Sequence, residues 1–504
     1  MRNVVGTSRV IYVLRRQTPA FVLRPFTKMT SIPLVAPYPL ARAVTRRFTP
    51  VVVAPSTARR VSMSEVLAAL SYALDLTGGS PPGHTARTCV IGMRLASELG
   101  LGPEESSALY DALLLKDAGS SSNAAHMGAL FGTDDRIIKR RLRWLDREDR
   151  TRLVLHTART VGVGAPPWKR LSHFLGILRS DGLGKDFVRL RSDRGAKLAL
   201  RLGFPRATAH AIRSLDEHWN GCGLPEGKRG EEIPLLSRIA NLAQTIEAYR
   251  AQHGLETALR VARERRGRWF DPRLVDIVVH WSKDRDWWSR LGTAAGAEVV
   301  AAEPSGHVRL VDERGIDEVA RAFADIIDAK SPFTYDHSAR VAKYATAIAA
   351  QLGLAAADVR RLNRAALLHD IGKLGISGRL LDKAGPLTRS EREEIQMHPV
   401  HTWEILSRVS AFADFAKMAS LHHEKLDGSG YPWGLRGEDL DLPTRILCVA
   451  DIFEALTAPR PYRPGMPVSV ALDIIRQDAG VRVCRVACEG LSAITAKLPR
   501  QLAG

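Results

Sequence analysis

The stretch HSARVAKYATAIAAQLGL, residues 337–354, decides the fold, because a near copy, HTARTCVIGMRLASELGL, stands at residues 84–101. Self-similarity at a fixed distance marks a chain built from repeated units. The later copy has an apolar stripe that ends before Gly353, as an amphipathic helix does. Its apolar positions are 341, 344, 345, 348, 349 and 352. The stretch therefore predicts one helix in each of two related halves.

A second match lies further along the chain at a different offset. Residues 217–227 (EHWNGCGLPEG) match residues 424–434 (EKLDGSGYPWG) at an offset of 207, whereas the helices above repeat at an offset of 253. The first copy therefore carries about 46 extra residues in its middle. The segment RILCVADIFEALTA, residues 445–458, is apolar on nearly all sides, which predicts a central helix.

These patterns predict an all-α protein made of two tandem helical bundles of the same type. Strand-like alternation is scarce, and a Pro-Ser-Gly stop separates the halves. The predicted segments are a basic extension at 1–60, a first bundle at 61–290, a linker at 291–317, a second bundle at 318–480 and an atypical tail at 481–504.

Composition is that of an ordinary globular protein, with 504 residues, 45% hydrophobic and 25% charged. We find no apolar run of about 18 residues, so we expect no transmembrane helix and no membrane partner. The five cysteines are scattered and form neither a zinc pattern nor a disulfide framework. This usage predicts a reducing, cytoplasmic location.

The net charge of +19 is concentrated at the beginning of the chain, where residues 1–60 hold eleven Lys or Arg and no acidic residue. That segment can be a transit peptide, a polyanion-binding arm, or upstream DNA translated from an early start codon. We favour the last, because helical patterning begins abruptly at Met63. The core lacks the aromatic and basic pattern of a nucleic-acid module, so we expect no specific nucleic-acid partner.

Seven metal-competent side chains lie in otherwise apolar segments of the second half. A lone His on an apolar face is more often a satisfied core residue than a ligand. An unpaired buried polar group costs about 1–3 kcal/mol, however, so a whole set favours mutual satisfaction through bound cations. Imidazole and carboxylate ligands suit Fe, Mn or Zn. The residues are His337, His369, Asp370, His398, His422, His423 and Asp451.

Their order suggests phosphate chemistry. Two metals roughly 3.5–4 Å apart can clamp a phosphodiester, and Asp370 directly after His369 is well placed to bridge them. Lys373 follows Asp370 by three residues, which predicts a place on the same helix face. There its ammonium can neutralise charge on the phosphate or protonate the leaving oxygen.

Five motifs follow one another between residues 318 and 480. They are HSARV, ALLHDIGKLGI, His398-Pro399, HHEKLDGSGYPWGL and RILCVADIFEALTAPRPYR. In this order they resemble the HD-GYP family, a branch of the HD phosphohydrolases. The resemblance implies HD-type all-α bundles and a metal-dependent enzyme that hydrolyses cyclic di-GMP to pGpG and then GMP in bacterial signalling. Two alternatives remain open: hydrolysis of another cyclic dinucleotide or nucleotide, and a non-catalytic nucleotide-sensing module.

The resemblance also implies a role for each residue. The histidines and Asp451 would ligate metal, Asp370 would bridge two ions, and Lys373 would act at the phosphate. The substrate pocket would be bordered by Tyr431, Pro432, Arg460 and Arg463, since an Arg fork donates two parallel hydrogen bonds. For Arg460, a solvated loop charge is an equal alternative.

Two departures from the family pattern shape the expectations. Some members carry a Glu where this chain has Phe333, so we expect two metal ions, Fe or Mn, rather than three. The first half has the family's Phe270-Asp-Pro segment, which the second half lacks. A frameshift in the reading frame would account for the altered tail, and it predicts that the closing helix of the second bundle is lost.

The first half keeps only part of the ligand set. His84 and Asp117 survive, whereas the other positions become Lys116, Ser120, Leu215, Asp216 and Gln244. Too few ligands remain for a metal centre. We predict an inactive copy that serves as a pseudo-dimer partner, ligand sensor or regulator, or as a structural lobe. Signalling proteins and self-association are the corresponding candidate partners.

Overall fold

The computed structural model describes residues 61–142, 150–163, 165–179, 183–293, 296–304, 308–332, 334–459 and 464–497. The predicted extension at 1–60 lies outside these residues, as do Phe333, Arg460 and Arg463. Within them the chain is nearly all helix, and its two strands, β1 (Val61–Ser62) and β2 (Leu310–Val311), pair antiparallel. The prediction of an all-α fold is confirmed.

Helices α1 to α14 build the first half and its connection to the second. They are α1 Met63–Gly78, α2 His84–Glu98, α3 Pro103–Leu115, α4 Ala124–Phe131, α5 Asp135–Leu142, α6 Arg150–Thr160, α7 Pro167–Arg179, α8 Leu183–Arg201, α9 Arg206–Arg213, α10 Leu235–His253, α11 Leu255–Glu264, α12 Pro272–His280, α13 Arg285–Thr293 and α14 Gly296–Ala301.

Helices α15 to α24 build the second half. They are α15 Glu313–Asp328, α16 His337–Gln351, α17 Ala356–Leu368, α18 Gly378–Leu381, α19 Arg389–Ile395, α20 His398–Leu406, α21 Ala413–Ser420, α22 Leu442–Thr457, α23 Val468–Gln477 and α24 Arg485–Thr495.

The repeat predicted from sequence is visible in the helix order. The predicted twin helices are α2 and α16, and α10 and α22 follow the two matching glycine loops. Helix α22 is central as its composition predicts, since it packs on α16, α17, α21, α23 and α24. Its Ile446, Val449 and Phe453 are fully buried.

The two halves share one hydrophobic core. A continuous cluster of buried apolar side chains runs through both, and α1 of the first half packs on α20 of the second. The predicted linker contributes to it, because α14 packs on α1 and α2. There Val299 is buried, and its carbonyl accepts a hydrogen bond from the Tyr110 hydroxyl at 3.0 Å.

The prediction that the second bundle loses its closing helix is wrong. Helix α24 packs on α16 and α22, much as α12 packs on α2 and α10 in the first half. Its buried positions Ala487, Cys488 and Leu491 form an apolar stripe at helical spacing, which is what the bundle requires of a closing helix. The helices described in the structure include none long and apolar enough to cross a membrane.

Candidate metal centre

The seven predicted ligand residues lie together inside the second bundle. His337 and His398 are the first residues of α16 and α20, His369 and Asp370 follow α17, and Asp451 lies within α22. His422 and His423 follow α21. Six of the seven are buried, and the side chain of His423 is 24% exposed. Helix ends therefore bring the imidazoles to one point, and the central helix adds a carboxylate.

The ligand atoms form two triads that share no residue, and a third group, His369, Asp370 and His422, joins them. Within each triad the nitrogen or oxygen atoms lie within 4.8 Å of one another, a spacing that suits a single cation. One triad is His337, His369 and Asp451, and the other is His398, His422 and His423.

Asp370 lies between the two triads. Its Oδ2 is 3.3 Å from Nε2 of both His337 and His369. Its Oδ1 is 3.4 Å from His398 Nε2 and 3.8 Å from His422 Nε2. Each carboxylate oxygen thus faces a different triad, which is the geometry a carboxylate needs to bridge two ions.

Backbone carbonyls select the tautomer of three imidazoles. His369, His398 and His422 each place Nδ1 2.7 Å from the carbonyl oxygen three residues earlier. A carbonyl only accepts hydrogen bonds, so each Nδ1 carries a proton, and each Nε2 presents a lone pair when its imidazole is neutral. The lone pairs point into the centre, as those of metal-binding histidines do.

His337 is oriented by a residue that the sequence reasoning missed. Its Nδ1 is 2.5 Å from Oε2 of Glu454, which is buried in α22. The other Glu454 oxygen accepts hydrogen bonds from Arg340 at 2.6 and 2.8 Å. A carboxylate behind a ligating histidine is a recurrent feature of metal sites. The available signal was the position of Glu454, three residues after Asp451 and hence on the same helix face.

The polar atoms of the centre fit a divalent cation. His369 Nε2 and Asp370 Oδ1 are buried without a hydrogen-bond partner. His398 Nε2 and His422 Nε2 lie 3.2 Å apart, although both are acceptors in the tautomers selected above. Converging acceptors repel one another unless a cation lies between them, and imidazole with carboxylate suits Fe, Mn or Zn.

The protonation states agree with this reading. Burial lowers the pKa of His398 and His423 well below the usual range, and burial together with the nearby charge of His369 lowers the pKa of His422 to about 4. Burial alone would raise the pKa of Asp370, but the charges of His369 and Lys373 hold it well below its usual range. Neutral imidazoles and an ionised carboxylate are the forms that bind metal.

The other triad lies closer to negative charge. Burial lowers the pKa of His369, but the Asp370 and Asp451 carboxylates outweigh it and raise that pKa to about 10. The pKa of Asp451 is well below its usual range, because its interaction with the nearby His369 imidazolium outweighs burial. Two ionised carboxylates in a buried site require positive charge beside them, which protons or bound cations supply.

Lys373 contacts the centre from a different secondary-structure element than the one predicted. Helix α17 ends at Leu368, and Lys373 lies in a separate 3₁₀ turn, Ile371–Gly375, so the prediction of a shared helix face is wrong. Its Nζ is nonetheless 2.5 Å from Asp370 Oδ2. The side chain is 21% exposed, so the ammonium lies where the buried centre meets solvent.

Two further residues connect the ligand segments. Thr402 Oγ1 donates to the His369 carbonyl at 2.8 Å and accepts from the Gly372 N–H at 3.1 Å. A Cβ on Gly372 would lie 1.9 Å from the His398 carbonyl oxygen, so only glycine allows this approach. Neither residue was singled out from sequence, because the contact joins segments about 30 residues apart.

The glycine loop after the histidine pair covers one side of the centre. The Tyr431 ring is 4.7 Å from the His423 ring, and the next residue, Pro432, follows a cis peptide bond. Glu424 holds the loop by accepting hydrogen bonds from the N–H groups of Trp433 and Leu435 at 2.8 and 2.9 Å. The structure thus brings Tyr431 to the ligands, whereas Arg460 and Arg463 lie outside the described residues.

The first half has cationic side chains where the second has imidazoles. Lys116 pairs with Asp117, its neighbour at the position of Asp370. A Cβ on Gly119 would lie 1.9 Å from the Arg191 carbonyl oxygen, the same contact that Gly372 makes with His398. Arg191 therefore occupies the place of His398, and it pairs with Asp216.

Comparison with known proteins agrees with the motifs. A family model described as an HD domain matches residues 179–274 and 321–483. The chain is 43% identical over 418 residues to the 3′3′-cGAMP-specific phosphodiesterase 3 of Vibrio cholerae serotype O1. The aligned region covers 82% of this chain and 91% of the relative. It is 38% identical to the cyclic di-GMP phosphodiesterase response regulator RpfG of Xanthomonas campestris, over 34% of this chain and 45% of the relative.

A solved structure is similar over both halves. The crystal structure of a cyclic GMP-AMP specific phosphodiesterase of V. cholerae superposes with a TM-score of 0.62 at 37% identity, covering 88% of this chain and 100% of that chain. The family model matches segments of both halves, and the seven predicted ligand residues lie in the second. This chain belongs to the HD-GYP family of HD domain proteins, with a complete motif set in its second half and a degenerate repeat in its first.

Proposed function

We propose that the second half is a metal-dependent phosphodiesterase that opens a cyclic dinucleotide. The observation that carries this proposal is the position of Asp370, with one oxygen toward each of two buried triads. That arrangement suits two divalent ions side by side, for which Fe and Mn are our candidates.

Different residues of the chain would have different roles in such a reaction. When bound, two ions lower the pKa of a water and neutralise the charge of the phosphate oxygens. Asp370 and the imidazoles hold the cations, and Glu454 keeps His337 in the tautomer that presents Nε2. Lys373 lies at the solvent side of Asp370, where its ammonium can protonate the leaving oxygen. Tyr431, whose ring lies 4.7 Å from that of His423, would exclude water from one side of the substrate.

For the substrate, we favour 3′3′-cGAMP, with cyclic di-GMP, our expectation from sequence, as the second candidate. The relative named for 3′3′-cGAMP matches 82% of this chain, including much of the first half. The relative named for cyclic di-GMP matches 34%. Hydrolysis of one phosphodiester gives a linear dinucleotide, pGpG from cyclic di-GMP, and a second hydrolysis gives mononucleotides. We propose a cytoplasmic location, since all five cysteines are free.

The test is a competition assay. Protein purified without oxygen and supplied with Fe(II) or Mn(II) is given equal concentrations of both dinucleotides, and the products are separated by chromatography. We expect faster loss of 3′3′-cGAMP, and no turnover by a His369→Ala, Asp370→Ala variant. Equal or reversed rates would contradict the substrate choice.

A non-catalytic sensing module is the competing function. It predicts that the metal-loaded protein binds a cyclic dinucleotide and releases it unchanged. Binding without turnover by folded, metal-containing protein would therefore overturn the phosphodiesterase proposal.

A further inference from the structure

The segment after Asp370 carries Lys373, and we refer to residues 371–378 as the lysine loop. Besides the Gly372 N–H, which donates to Thr402 Oγ1, three of its backbone polar groups bond to side chains outside it. Leu374 O accepts from Lys330 Nζ at 2.5 Å, and Gly375 O accepts from Arg136 Nη1. The Gly378 N–H donates to Asp135 Oδ1 at 2.9 Å. Two of the three partners belong to the half that lacks the metal ligands.

The Arg136 side chain is itself held in place. Its Nε and Nη2 bond to the Asp134 carboxylate at distances between 2.7 and 3.1 Å. Nη2 also bonds to Glu394 of the second half at 2.9 Å. The planar fork thereby reaches the lysine loop with little freedom to swing, a geometry that Lys cannot reproduce.

Asp135 is the second contact, and it is fully buried. Burial raises the pKa of this carboxyl, but the charges of Lys139 and Lys330 outweigh burial and lower the pKa to about 2. Lys139 Nζ lies 2.9 Å from Asp135 Oδ2 and also donates to Ser120 O, which fixes the carboxylate against the first half. The bond to Gly378 is therefore accepted by an ionised carboxylate, which makes it stronger than a neutral one.

The two backbone groups that Arg136 and Asp135 bind, Gly375 O and Gly378 N–H, lie close to Lys373 along the chain. The Lys373 N–H donates to Asp370 O at 2.9 Å, and the Lys373 carbonyl accepts from Ile376 N–H at 3.0 Å. Gly375 and Gly378 are two and five residues further on, so any displacement there moves the backbone that carries the ammonium. A shift of about 1 Å in a catalytic group can cost 10²-fold in rate.

We propose that Arg136 and Asp135 are positioning residues for Lys373, so that the half without the metal ligands sets the geometry of the active half. The proposal rests on the phosphodiesterase function above. It assigns the first half a task in the reaction that requires no ligand of its own. A purely structural lobe, in contrast, would affect stability and metal content but not the action of Lys373 specifically.

The first experiment is a double-mutant cycle in the full chain. Arg136→Ala is expected to lower kcat by about 10- to 100-fold, with KM within about 3-fold and metal content unchanged. In a Lys373→Ala background the same change should have almost no further effect, because the group that it positions is gone. Arg140→Ala, on the exposed side of the same helix, is the control that should leave kcat unchanged. Equal losses in both backgrounds, or no loss in the single variant, would overturn the proposal.

A second measurement does not depend on turnover. Amide hydrogen exchange of residues 371–378 should accelerate at least 10-fold in the Asp135→Asn, Arg136→Ala variant and stay unchanged in Arg140→Ala. If wild-type protein shows no turnover, the phosphodiesterase proposal fails, while this exchange still decides whether the first half holds the loop. Unaltered exchange in the double variant would show that it does not.

Discussion

The two halves use one scaffold and balance the same buried carboxylate in different ways. In the second half, Asp370 faces imidazole nitrogens of both triads, and the lysine that pairs with it, Lys373, is 21% exposed. In the first half, its counterpart Asp117 pairs with the ammonium of Lys116, which is 1% exposed. An ionised carboxylate in a buried site needs a positive partner. The two halves thus differ in where the attached cation lies: Lys116 is buried beside Asp117, whereas Lys373 reaches Asp370 from the solvent side.

A second substitution follows the same pattern. Arg191 replaces His398, and Asp216 replaces His423, so two metal-competent imidazoles become one internal ion pair. Burial lowers the pKa of Arg191, but Asp216 and Asp117 outweigh it and raise that pKa. The guanidinium therefore supplies permanent positive charge to the first half, as cations would to the second.

Other contacts are the same in both halves, which identifies them as requirements of the fold. Glu217 accepts backbone N–H groups from its glycine loop at 2.7 to 3.0 Å, as Glu424 does in the second half. Asp75 accepts from the Thr85 hydroxyl, and Asp328 accepts from Ser338 in the matching place. These carboxylates organise loops and helix starts, and they persist where the metal ligands do not.

The largest expected effect is the difference in turnover between variants of the two matching aspartates, Asp370 and Asp117. Asp370→Ala is expected to lower turnover by at least about 10³-fold, since it removes the group that faces both triads. Asp117→Ala should change kcat by less than about 3-fold, because Asp117 has no counterpart role in chemistry. Turnover and metal content measured side by side check this, and a comparable loss of kcat in both variants would break the comparison.

The next largest effect is a loss of stability on removal of the Lys116 ammonium. Lys116→Met removes the ammonium that pairs with Asp117, and removing one member of a buried pair costs about 3–5 kcal/mol of unfolding free energy. Urea unfolding followed by circular dichroism measures it. The matched variant Lys116→Met, Asp117→Leu should recover most of the loss, because no charge is then left unpaired. A loss below about 1 kcal/mol in the single variant would mean that the pair contributes little.

The smallest effect should be shared by both halves. Glu217→Gln and Glu424→Gln each replace an oxygen that accepts backbone N–H groups, and each is expected to cost about 1–3 kcal/mol of stability. Only Glu424→Gln should also lower turnover, since its loop carries Tyr431. Paired denaturation and activity assays measure both quantities. Unequal stability losses would show that the two loops are not held in the same way.

The sequence singled out side chains that the structure brings together, because the signals that mark them are local. His422-His423 before a glycine turn, and His369-Asp370 at the end of an apolar helix, are visible without any knowledge of the fold. Arg191 was not found from the sequence. The first half has about 46 extra residues between its two matching segments, so the position that corresponds to His398 cannot be identified by a fixed offset. The closing helix was missed for another reason: its apolar stripe at Ala487 and Leu491 satisfies the bundle without the Phe-Asp-Pro signature.

By itself, the sequence determined that this chain is all-α, that it is a repeat, and that one copy keeps the family's histidine and aspartate motifs. Periodicity and residue type are properties of short segments, and they carry that information directly. Only the tertiary structure decided that Asp370 lies between two triads, that Glu454 supports His337, and that Arg136 reaches the lysine loop. These contacts join residues more than 100 positions apart or depend on distances of a few ångströms, which are set by how the helices pack.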